Sequence, residues 1–136
     1  ATQKPIISLI GEDITVVASG YSSLLAREAA QELKNRDISV EVIDVRVLNP
    51  FHTEEILRSV KKTKNLLVVD PGWTSAGFSA EIIAKILEQL PVNCLNNPPV
   101  RIALPNAPAP TSRVLEKVYY TTTKDVIEGI RKILSK

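Results

Sequence analysis

Two stretches of the chain combine glycine, small polar residues and an aromatic ring in the manner of a strand-to-helix turn that receives a ligand. They are Gly20-Tyr21-Ser22-Ser23 and Asp70-Pro71-Gly72-Trp73-Thr74-Ser75. Each follows an apolar, β-rich run and precedes a helical pattern. In open α/β sheets ligands favour such turns at the carboxyl ends of strands, where a helix N-terminus offers its free N–H groups to an anion. Tyr21, Ser22, Asp70 and Trp73 are therefore the candidate loop-pocket residues. Glycine, serine and aspartate are also what a tight turn and a helix cap need in any protein. A contact surface for another chain, built on Tyr21 and Trp73, is preferred here over a pocket.

Other chemistries are excluded by count. A lone histidine, His52, rules out a two-histidine metal site, and a lone cysteine, Cys94, rules out an internal disulfide and a cysteine cage. His52 stands beside Pro50 just ahead of a helical pattern, where a polar residue helps start the turn. Cys94 sits in a loop-like stretch with no histidine near it in sequence, which argues against a nucleophile. No phosphate loop of the Walker type is present. After the second strand only Gly20 stands where a dinucleotide fingerprint needs three glycines. No catalytic, cofactor-binding or metal-binding residue is expected.

The elements that position these turns follow from the apolar periods. Ile6–Ile10 and Thr15–Ser19 are short apolar runs, and Val40–Val45, Leu66–Val69 and Val100–Leu104 are three more. Runs this apolar suit strands buried on both faces. Helical patterns lie between them: Leu25, Ala29 and Leu33, then Ile56, Leu57 and Val60, then Ile82, Ile83, Ile86, Leu87 and Leu90, and last Val126, Ile127, Ile130, Ile133 and Leu134. Thr53 is a predicted N-cap, with Glu54 and Glu55 in the first turn. Thr122 and Asp125 form a capping-box-like start for the last helix. Asn49-Pro50 is predicted to break the third strand and Asp70-Pro71-Gly72 to end the fourth in a turn. Alternating strands and helices predict a parallel sheet covered on both faces. The link between the first two strands is too short for a crossover, so the first strand is predicted to run antiparallel at an edge.

Length and charge set the class. The chain has 136 residues, 44% hydrophobic and 24% charged, which suits one globular domain over residues 1–136. A net charge of +2 with scattered lysines and arginines argues against nucleic-acid binding. No apolar stretch is long enough to span a membrane, and the N-terminus lacks a signal-peptide pattern. The chain contains no methionine, so a piece of a longer polypeptide is expected.

The order and spacing of several segments resemble the C-terminal domain of the transketolase-like superfamily. They are Asp13 to Gly20, Ile38 to Pro50, Ser59 to Thr63, Val68 to Trp73 and Gly77-Phe78-Ser79-Ala80-Glu81-Ile82. The last run is similar to the Gly-Phe-Gly-Ala-Glu-Ile of pyruvate dehydrogenase E1 β subunits, and the tail with Pro108, Pro110 and Leu115-Glu116 follows the same pattern. The resemblance implies a three-layer α/β/α sandwich around a five-stranded, mostly parallel sheet with an antiparallel first edge strand. It implies an E1 β subunit of a thiamine-dependent 2-oxoacid dehydrogenase, which takes part in oxidative decarboxylation and in acyl transfer to the lipoyl groups of E2. Thiamine diphosphate and magnesium would sit in other parts of that enzyme. The domain's partners would be the rest of the β subunit, a second β subunit in a homodimer, the E1 α subunit and the E2 acyltransferase. The compartment would be the cytoplasm, or the mitochondrial matrix in a eukaryote.

Two positions depart from the pattern. Family members often carry Leu-Asp-Ala-Pro before the fifth strand, with the aspartate helping to bind a basic E2 module; here the run is Leu95-Asn96-Asn97-Pro98. An amide in place of a carboxylate removes a charge-assisted contact. The chain also ends in Lys136, where a hydrophobic end is common. Asn96, Arg101 and Lys136 are the candidate docking residues. Two alternatives stand beside this reading: the C-terminal domain of a transketolase-like sugar enzyme, and a stand-alone regulatory module that binds a small ligand at the Gly20 and Asp70 turns.

Overall fold

In the computed structural model, which describes residues 4–46 and 52–135, all five apolar runs form strands of one sheet. β1 (Ile6–Leu9), β2 (Ile14–Ala18), β3 (Val40–Asp44), β4 (Leu66–Trp73) and β5 (Val100–Leu104) lie in the order β1-β3-β2-β4-β5. β1 pairs antiparallel with β3, and the other pairings are parallel. The edge position and reversed direction of β1 agree with the short link to β2. Gly11 lies in that link against the β3 backbone, where a Cβ would collide with the carbonyl group of Val40 and the nitrogen of Glu41.

Helices cover both faces. α1 (Tyr21–Lys34) and α5 (Thr123–Leu134) pack on one, over Val16, Ala18, Val40, Val42, Leu67 and Val69. α2 (Glu54–Thr63) and α3 (Phe78–Gln89) pack on the other, over Val17, Ile43, Leu66 and Val68. Successive residues of β2, β3 and β4 thus feed opposite layers, as strand geometry demands. All five residues of β2 are buried, which is why its run carries no polar alternation.

The predicted capping box of α5 is present. The Asp125 N–H donates to Thr122 Oγ1 at 3.3 Å, and the Thr122 N–H to Asp125 Oδ2 at 2.9 Å. Thr53 does hold the N-cap position of α2, but its hydroxyl meets Gln89 on α3 rather than the helix's own N–H groups. In the α3 stripe Ile82 and Ile86 are buried while Leu87 is exposed. The Asn49-Pro50 break falls outside the described residues.

Two expectations are corrected. Asp70-Pro71-Gly72 does not end the fourth strand: β4 continues to Trp73, which pairs with Leu104. Between the Val69–Ile102 and Trp73–Leu104 pairs β4 advances four residues and β5 two. The excess is a bulge, a place where proline's missing N–H costs no ladder bond. The second correction is an additional helix, α4 (Arg113–Tyr119), between the proline-rich stretch and α5.

Candidate functional site

The carboxyl ends of β2 and β4 flank the point where the connections diverge. β2 leads to α1 on one face and β4 to α3 on the other. This is the topological switch point at which open α/β sheets hold ligands. Tyr21, Ser22, Asp70 and Trp73 all lie at this end of the sheet. Gly20 makes the turn into α1 at φ 56° and ψ −133°, a conformation essentially closed to other residues.

Local bonds decide what these side chains do. Asp70 is buried, with Oδ1 accepting the Gly72 N–H at 2.8 Å and Oδ2 the Ser79 N–H at 2.7 Å. It therefore caps the first turn of α3 from the preceding strand. A carboxylate at a helix N-terminus also meets the positive end of the helix dipole, and here it fills the position an anionic ligand would take. Ser22 is likewise buried. The adjacent Ser23 hydroxyl donates to Asp44 Oδ1 at 2.8 Å, tying the start of α1 to the end of β3. Among the described residues, clefts of about 960, 450 and 390 Å3 are lined by residues other than Tyr21, Ser22, Asp70 and Trp73.

The aromatic residues behave differently. Tyr21 is 69% exposed and Trp73 55%. The Trp73 Nε1–H donates to Tyr119 Oη at 3.1 Å, and that hydroxyl donates onward to the Ala107 carbonyl at 2.8 Å. The β4–α3 turn is further bound to the β5–α4 segment. The Thr74 N–H and hydroxyl both donate to the Leu104 carbonyl, and Asn106 accepts from the Ser75 N–H at 3.0 Å. Arg101 reaches the Thr74 carbonyl at 2.7 Å. Trp73 is thus tied through Tyr119 to α4, whose Val114, Leu115 and Val118 are exposed, as is Tyr120 just past the helix.

Asn96 is not part of this surface. It is exposed at the opposite end of the sheet, where its N–H donates to the Lys64 carbonyl at 2.9 Å, and it lines the 390 Å3 cleft with Cys94. The sequence candidates therefore divide: Tyr21, Trp73 and Arg101 go with the carboxyl ends of the strands, and Asn96 with the amino ends. Lys136 lies outside the described residues. His52 is half-buried just before α2, and its Nε2 has no hydrogen-bond partner among the described residues.

At the amino ends lies a buried polar cluster that sequence reasoning missed. Glu41 on β3 is 1% exposed and accepts from Lys62 of α2 at 2.6 Å and from the Gly11 N–H at 3.2 Å. Its register neighbour on β2, Thr15, shares hydrogen bonds of 2.6 and 2.7 Å with Ser59 and Thr63 of α2. Burial alone would raise the Glu41 pKa, but Lys62, the Ser59 hydroxyl and the Gly11 N–H outweigh it and hold the carboxyl below its ordinary range. The available signal was a polar residue at matching positions of two buried runs, Thr15 and Glu41. Among the described residues no group of three or more His, Cys, Asp or Glu could hold a metal ion, and no helix is long and apolar enough to cross a membrane.

Comparison with known proteins agrees with this architecture. Residues 5–126 match the family model "Transketolase, C-terminal domain". The chain is 38% identical over 132 residues to the mitochondrial pyruvate dehydrogenase E1 component subunit beta of Rattus norvegicus, covering 97% of this chain and 37% of that protein. It is 35% identical to the corresponding Rickettsia felis subunit, covering 90% and 37%, and 33% identical to the Caenorhabditis elegans one, covering 97% and 38%. This chain thus spans somewhat over a third of the length of these relatives. Among solved structures, a split-gene transketolase described as an inactive β4 tetramer superimposes with a TM-score of 0.83 at 24% identity, over 97% of this chain and 42% of that one. A 2-oxoglutarate:ferredoxin oxidoreductase from Magnetococcus marinus does so with a TM-score of 0.68 at 14% identity, over 98% and 20%. At these identities the two structures support the fold alone.

Proposed function

This chain belongs to the transketolase C-terminal domain family, and we propose that residues 1–136 are the C-terminal assembly domain of a 2-oxoacid dehydrogenase E1 β subunit. The observation that carries this is the run of E1 β relatives at 33–38% identity over nine-tenths or more of the chain. The intact enzyme decarboxylates a 2-oxoacid of the pyruvate type oxidatively and passes the acyl group to E2 lipoyl groups. This domain supplies contacts to the remainder of the β subunit, to a second β subunit in a homodimer and to the α subunit. The compartment is the cytoplasm of a bacterium or the mitochondrial matrix.

Thiamine diphosphate and magnesium serve the intact enzyme, and the residues here do not fit them. Asp70 and Asp44, the carboxylates nearest the switch point, are engaged by backbone N–H groups and by Ser23. No step of the reaction is assigned to a residue of this chain. E2 docking is a separate element of the proposal: Asn96 precedes β5, Arg101 lies within it with its side chain on the Thr74 carbonyl, and Lys136 is the further candidate. Asn96 offers an amide where a carboxylate would attract a basic module, so N96D is expected to tighten E2 binding.

The test is coexpression of the full polypeptide with an E1 α subunit. An assembled complex whose pyruvate decarboxylation depends on thiamine diphosphate supports the proposal. Ketol transfer between sugar phosphates, with no 2-oxoacid turnover, would overturn it in favour of a transketolase.

A further inference from the structure

α4 is folded with its apolar side outward. Val114, Leu115 and Val118 are 74, 58 and 82% exposed, and of the helix's seven residues only Tyr119 is buried. Helices this short do not hold themselves in water, and these three side chains add nothing to the core of the domain. Tyr120 at 47% and Trp73 at 55% extend the patch to the end of β4. A contiguous apolar surface of this kind marks a contact site.

We propose that this patch is covered by the preceding domain of the same polypeptide, an inference that rests on reading the chain as the C-terminal part of a longer β subunit. The route of the chain favours that occupant. Ile6 pairs with Asp44, and Lys4 meets Glu54 at 3.9 Å, so the chain enters at the carboxyl end of β3. The patch lies at the same end of the sheet beyond β4 and β5, four strand spacings or roughly 19 Å away. A 132-residue match that fills 38% of the C. elegans relative leaves roughly 200 residues outside it, a domain with a radius of gyration of about 16 Å that spans this distance.

Area favours it as well. α4 is about 10 Å long, and five partly exposed side chains fall short of the roughly 800 Å2 per partner that a free-standing dimer buries. A tethered domain acts at an effective concentration in the millimolar range and is held by less. Its contacting face is apolar opposite Val114 and Val118, with polar groups at the rim to meet Arg113, Glu116 and Lys117.

Hydroxyl-radical footprinting of the full polypeptide, read by mass spectrometry, tests this. Val118 and Val92 share a residue type and are 82 and 90% exposed in this domain, and Val92 lies at the other end of the sheet. The expected result is oxidation of Val118 about tenfold slower than Val92, with Trp73 protected in parallel. V118D should restore Trp73 oxidation, while V92D should not. Equal rates at Val118 and Val92 in a polypeptide that still assembles with its α subunit would overturn the surface and leave the E1 β reading standing. Protection that disappears on dilution would overturn the intrachain occupant in favour of a second copy. A native polypeptide confined to residues 1–136 would overturn both.

Discussion

The two ends of the sheet are built differently, though neither is uniform: Ile10 and Val92 are exposed at the amino ends and Asp70 is buried at the carboxyl ends. At the amino ends of the parallel strands polar groups turn inward and satisfy one another: Glu41 with Lys62 and Gly11, Thr15 with Ser59 and Thr63, and Asn65 with Asp13 and Asn97. At the carboxyl ends apolar groups turn outward, with Tyr21, Trp73 and the α4 side chains in solvent. The hydrophobic effect and the cost of burying polar groups would each predict the reverse for a self-sufficient domain. The closed end contributes to folding, while the open end exposes apolar side chains beside its own hydrogen bonds. Substitutions at the closed end should therefore lower stability, whereas those at the open end should chiefly change assembly.

The strongest challenge to this division is G11A. Its Cβ would push into the β3 backbone, and a loss of about 3 kcal/mol is expected in urea unfolding. A loss under 1 kcal/mol would show that the β1–β2 link is not tightly packed. Next is K62A, which leaves Glu41 buried without its counter-charge. Because the Lys62 side chain is 37% exposed, the expected loss is about 2 kcal/mol rather than the larger figure for a fully buried pair.

The same pair has a pH signature. The Glu41 pKa is lowered on folding, so its contribution is present above the ordinary glutamate value of 4.5 and is lost as pH falls through the lowered one. E41Q should be less stable at neutral pH and should lose less stability than the parent in acid. An unchanged slope of stability below pH 4.5 would remove Glu41 from the account.

At the open end, Y119F removes the hydroxyl between Trp73 and Ala107. We expect a cost of about 1 kcal/mol, with faster hydrogen exchange confined to α4 and its flanking segments. The smallest effect is expected for V118D in residues 1–136 alone, within about 0.5 kcal/mol of the parent. A larger loss there would mean that α4 packs on its own domain after all.

Much of the fold was legible because its core is local in pattern. The apolar runs at Thr15–Ser19 and Leu66–Val69, the stripe of Ile82 and Ile86, and the Thr122–Asp125 box each imply their element within a few residues. What was not legible depends on contacts distant in sequence. Asp70-Pro71-Gly72 has the composition of a turn, but pairing with β5 carries the strand through it as a bulge. α4 has its apolar residues on the solvent side and follows a proline-rich stretch, so no inward periodicity marks it. Of the candidate site, the sequence placed Tyr21, Ser22, Asp70 and Trp73 at one end of the sheet but could not separate the exposed Tyr21 and Trp73 from the buried Asp70 and Ser22. That Asn96 lies at the far end follows from its place just ahead of a parallel strand.

Trp73 is the only tryptophan of these 136 residues, and it stands half in water with its indole N–H on Tyr119. The domain accordingly carries an intrinsic fluorophore at the end where its character changes. Covering that end should shift the emission of this ring towards the blue, so that assembly could be followed by light without any label.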